Sequence, residues 1–210
     1  MIPTRLAASP ALALAFALLG ARPAASQDPR LGRLDPETRA AVAGLLDSAR
    51  AAGLPTEPLV DRALEGALKR APAVAIVAAV RRLGVDLRTA RDALGSAASP
   101  AELDAGAGAL RADVQPDDLT RLRRARPGRS LTIPLAVLAD LVAQGVAVDS
   151  AAAFVVALAD FADDEFLAFR RNVERDIALG APPTAAAAVR VSAGLLETFG
   201  QQPPTTRRKP

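Results

Sequence analysis

Gly53-Leu54-Pro55-Thr56-Glu57-Pro58, "GLPTEP", closes one apolar-periodic run and precedes another. Glycine is the usual residue past the end of a helix because it adopts a left-handed backbone without steric cost. An apolar residue follows, and then a proline that cannot continue the helix. If the device recurs at a fixed interval, the chain is a set of helical units. Comparable junctions stand at Gly84-Val85-Asp86, Asp113-Val114-Gln115-Pro116-Asp117, Gly145-Val146-Ala147-Val148-Asp149 and Gly180-Ala181-Pro182-Pro183-Thr184. Their starts lie 31, 29, 32 and 35 residues apart. Each interval holds two helical patterns, the mark of an αα-hairpin array. The expectation is therefore an all-α fold of antiparallel helical-hairpin repeats, a short α-solenoid-like array with a curved face. The alternative is an irregular helical bundle whose loops share one turn chemistry. Neither the aromatic positions of tetratricopeptide repeats nor the "TPLH" of ankyrin repeats is present.

About ten helices are expected between residues 35 and 200. Asp35-Pro36-Glu37 is a strong start, with a capping carboxylate and proline in the first turn. Val42, Leu45, Leu46 and Ala49 follow at helical spacing. After GLPTEP come Val60, Ala63, Leu64, Ala67 and Leu68. A helix from Pro72 carries Ile76, Val77, Val80 and Leu83 and is expected to halt at Gly84. Asp86 would then cap a short helix bearing Leu87, Ala90 and Leu94, which stops at Gly95. Ser99-Pro100-Ala101-Glu102 is a capping box. "RPGR" breaks the helix marked by Leu119 and Leu122. Beyond it run Thr132 to Gln144, a helix expected to be capped by Asp149, a break near Asp163, and a last helix ending at Gly200.

The ends read differently. Met1–Arg5 is a short positive start, Leu6–Leu19 an apolar run, and Ala24 and Ser26 occupy the small-residue positions of a cleavage site. That layout predicts a secretory signal peptide over 1–26, and the run is too short to span a bilayer stably. Residues 27–34 read as a linker and 201–210 as a disordered basic tail. The chain is expected to be exported, periplasmic or extracellular, with no transmembrane segment after cleavage.

Of 210 residues half are apolar, with much alanine, and aromatics are 3%: six Phe, no Trp, no Tyr. Alanine is the best helix former, which agrees with the repeat reading. Losing residues 1–26 removes Arg5 and Arg22 and no acid, so the net charge falls from +3 to +1. Of the 26 basic residues only Lys69 and Lys209 are lysine. A nucleic-acid partner is not expected, since clustered positive charge with stacking aromatics is missing.

The absence of His and Cys excludes Ser-His-Asp triads, Cys-His pairs and ordinary zinc sites. Glycine-rich phosphate loops are also missing, and no cofactor is expected. Three charged sets remain. Glu57, Asp61 and Glu65 share one helix face, with Glu65 placed to pair with Lys69. Asp160, Asp163, Asp164 and Glu165 crowd a helix junction, where Asp163 is expected to cap and Asp164 and Glu165 to fill the first turn, without the turn glycine of a calcium loop. "RLRRARPGR" brings Arg121, Arg123, Arg124, Arg126 and Arg129 together, and Arg121, Arg124 and Arg129 are the candidate partner-binding residues. The functional expectation is an exported, non-catalytic interaction or scaffold protein of the bacterial cell envelope, with a protein partner. Two other classes compete: a carboxylate-dependent cell-wall hydrolase, and a peripheral binder of anionic membrane surfaces.

Overall fold

The computed structural model describes residues 28–200, with side chains to residue 196. The expected leader over 1–26 and tail over 201–210 lie outside the described residues. A 3₁₀ turn, Pro29–Arg33, precedes α1 (Pro36–Ala51), α2 (Glu57–Leu68), α3 (Ala73–Leu94), α4 (Pro100–Arg111) and α5 (Pro116–Ala125). Then come α6 (Thr132–Ala143), α7 (Val148–Ala157), α8 (Asp163–Ala178) and α9 (Pro183–Gly200). No strand occurs among the described residues.

Five junctions share one hydrogen-bond geometry, and it explains the recurrence of GLPTEP. Gly53, Arg70, Asp113, Gly145 and Gly180 all have positive φ, between 54° and 97°. The next residue donates its amide back five positions: Leu54 to Ala49 (2.9 Å), Ala71 to Gly66 (2.9 Å), Val114 to Ala109 (3.2 Å), Val146 to Leu141 (3.0 Å) and Ala181 to Asp176 (3.0 Å). This Schellman closure satisfies carbonyls that the helix end would leave bare. It also turns the following apolar residue inward: Leu54, Val114 and Val146 are buried.

One expected junction is absent. Gly84 does not stop a helix; α3 runs unbroken through it for 22 residues. The reason is phase. Ile76, Val80, Leu83, Leu87, Ala90 and Leu94 are all buried and step by four and three straight across Gly84, so one stripe continues to face the core. Asp86 therefore sits inside a helix and caps nothing. Two other caps also differ from expectation: Asp149 lies in the first turn of α7 behind Ala147, and Asp163 opens α8 behind Ala162. At the latter, the Ala162 amide donates to Glu165 (2.6 Å). The caps at Asp35 and Ser99 form as expected, the latter with the Ser99 amide on Glu102 at 2.8 Å.

The long α3 is the hub, packing on α1, α2, α4 and α5. Beyond it α4 meets α6, α6 meets α7 and α8, α5 meets α7, and α9 closes on α7 and α8. Residues such as Leu87, Leu119, Leu135, Leu141 and Phe166 are inaccessible within one connected core. Gly106 allows α4 to approach α3 closely, since a Cβ there would lie 3.1 Å from the Ala90 Cβ. The result is an all-α, multi-helix fold. The contacts of α3 cross to four helices, so regular stacking of every hairpin on the next does not follow from them. The segment 27–34, read as a linker, carries a docked turn: Leu31 and Leu34 are buried, and Arg30 reaches Glu57 and Asp61 on α2.

Candidate interaction surface

The arginine segment lies at the end of α5 and in the turn to α6, and the structure sends its side chains to different tasks. Arg126 is the most engaged. Its side chain is 2% exposed and bonded to Asp163 at 2.9 Å. It donates to the carbonyls of Ser130 (3.0 Å) and Ala159 (2.7 Å), and also to that of Phe161. Its guanidinium stands 5.4 Å from the Phe166 ring centroid. Arg129 reaches the same turn, donating to Asp160 (3.0 Å) and Phe161 (2.8 Å). The turn after α7 leaves carbonyls without amide partners, and a planar fork of N–H donors suits them. Burial, and next the Arg129 charge, pull the Arg126 guanidinium below its ordinary value, and Asp163 offsets part of that.

Arg123 ties the segment to α4. It donates to Glu102 and to the Arg129 carbonyl (3.0 Å). Glu102 also accepts the amides of Ser99 (2.8 Å) and Leu131 (2.9 Å). Burial raises the affinity of this carboxyl for a proton. The two amides and Arg123 more than reverse that and hold Glu102 below the usual range. Arg121 pairs with the buried Asp118. Of the three candidate partner-binding residues, then, Arg121 is paired one turn back and Arg129 closes a neighbouring turn. Arg124 is exposed, and no hydrogen bond or ion pair holds it among the described residues.

Positive charge without an ion-pair partner also stands on the outer face of α3. Opposite its buried stripe, Val74, Ala78, Arg81, Val85 and Arg88 follow each other at helical steps and are all exposed, with Arg82 alongside. Val74 is 78% exposed and Val85 51%. No hydrogen bond or ion pair engages Arg81, Arg82 or Arg88 among the described residues. A groove of about 410 Å³ separates α3 from α1, lined by Glu37, Ala41, Val74, Val77, Ala78 and Arg81. A smaller one, about 220 Å³, lies between α3 and α2. Sequence reasoning passed over this face because the expected break at Gly84 cut it in two. Continuity of phase across Gly84 was the signal that could have found it.

Among the described residues, the acids of these two grooves do not converge. The α1 groove contains Glu37 alone, and the α2 groove contains Glu65, which pairs with Lys69 (2.6 Å), as expected, and with Arg62 (2.7 Å). Glu57 and Asp61 are held by Arg30. Among the described residues no group of three or more acidic side chains could hold a metal ion. Burial raises Asp86 above its ordinary value, against the partial opposition of Arg111 and Arg82. No helix among the described residues is long and apolar enough to cross a membrane. Neither of these two grooves places two carboxylates across a substrate.

No family model, curated protein or solved structure matches the chain.

Proposed function

We propose that this chain is an exported, non-catalytic interaction or scaffold protein of the bacterial cell envelope. Its leader would be removed before Gln27, and its helical hairpins would form a short stacked array. The array reading draws support from the second half of the chain. There α4, α6 and α8 begin at residues 100, 132 and 163, and α5, α7 and α9 at 116, 148 and 183. Stacked hairpins expose extended surfaces suited to protein partners. The observation that carries the functional reading is the outer face of α3, where Val74 and Val85 stand exposed beside Arg81, Arg82 and Arg88, which no hydrogen bond or ion pair holds among the described residues.

The test is recovery of the chain from its own envelope fraction after mild crosslinking, with its N-terminus determined. The expected result is a chain beginning at Gln27 in a discrete adduct with one or a few proteins. A chain retained unprocessed in the cytosol, or cell-wall cleavage lost on replacing an Asp or Glu, would overturn it.

A further inference from the structure

Building on the interaction reading, we infer that the outer face of α3, together with its groove against α1, docks an acidic amphipathic segment of a partner protein. Three facts converge on that chemistry. First, Arg81, Arg82 and Arg88 are exposed along about two turns of one helix and lack ion-pair partners among the described residues. The arginines at 121, 123, 126 and 129 are already spent on Asp118, Glu102, Asp163 and backbone carbonyls. Second, the acids near this face are few: Asp92 at its far end, Asp86, half-buried and felt by Arg82, and Glu37, which lines the groove. Third, the groove is lined mainly by small or apolar side chains, Ala41, Ala73, Val77 and Ala78, with Thr38 among them, and its volume of about 410 Å³ accepts side chains from a helix laid along it.

Charge complementarity fixes the polarity. Carboxylates of the incoming segment lie over Arg81, Arg82 and Arg88, and its apolar residues enter beside Val74 and Val77. A bilayer fits the face less well. Membrane-surface helices insert bulky residues such as Trp, Phe or Leu, whereas this face offers Val and Ala, and its apolar part is concave.

The probe is a synthetic 18-residue helix of Glu, Leu and Ala carrying one Trp. Because the protein has no Trp or Tyr, the peptide's fluorescence is read without background. The full chain should bind this peptide, with affinity falling as salt is raised, and should not bind the counterpart with Lys for every Glu. The triple variant Arg81→Glu, Arg82→Glu, Arg88→Glu should bind at least about ten-fold more weakly. Its helical circular dichroism should be unchanged, because these side chains hold nothing in the fold. Arg124→Glu should leave binding as it was.

Three results would each overturn the assignment: no binding of the acidic peptide, binding that survives the triple variant, or equal loss with Arg124→Glu. Flotation with phosphatidylglycerol vesicles that depends on the three arginines, without peptide binding, would give the face to lipid instead. Recovery of an envelope partner by the triple variant would sink this surface and leave the interaction reading intact.

Discussion

Arg124 and Arg126 stand two positions apart in one arginine-rich run and have opposite surroundings. Composition alone shows the run; whether a guanidinium meets solvent or a bare carbonyl depends on where the turn after α7 arrives from 33 residues away. Arg126→Ala should therefore cost about 3 kcal/mol or more, since it strands buried carbonyls and the Asp163 partner. Arg124→Ala should stay within about 0.5 kcal/mol; urea unfolding of both variants decides it. Glu102 gives a pH-dependent case. Its folded carboxyl is held below the ordinary 4.5, so its stabilisation is present above that value and is lost as pH falls through the folded value. Glu102→Gln should cost roughly 2 kcal/mol at neutral pH, and the gap to the wild type should narrow in acid. A gap independent of pH would mean the charge contributes nothing.

Elements were legible where local chemistry decides them, at Asp35, at the Ser99 capping box and at the four junctions Gly53, Asp113, Gly145 and Gly180. They were misread where a long-range stripe overrides a local signal. Gly84-Val85 resembles Gly145-Val146, yet the apolar phase continues through the first and breaks at the second. Arg70 makes the same left-handed closure with no glycine to announce it (φ 54°). The two glycines should thus respond oppositely to alanine. Gly84→Ala, inside a helix with no atom within 4 Å of the new Cβ, should stabilise by about 0.5–1 kcal/mol. Gly145→Ala, at φ 91°, should destabilise by roughly 1 kcal/mol. Asp113→Gly should gain several tenths of a kcal/mol by relieving the same strain at φ 64°. Thermal unfolding of the three variants reads all the signs. A loss of stability at Gly84→Ala would restore the break in α3.

For the whole molecule, the all-helical class was legible from alanine content and turn recurrence, whereas the placement of free charge was not, because pairing is a tertiary fact. The packing also predicts a gradient of local stability. With contacts to four helices, α3 should show the slowest amide exchange, slower than α1, α5 and α9, each held by two. The proposed contact surface spans the unbroken middle of α3 and needs no reactive group. Its most direct test is a photo-crosslinking residue placed at Val85, or separately at Arg124, in cells producing the chain. The account predicts a discrete protein adduct from position 85 that the three α3 charge reversals abolish, and none from position 124. An adduct from 124 alone, or none from 85, would contradict it.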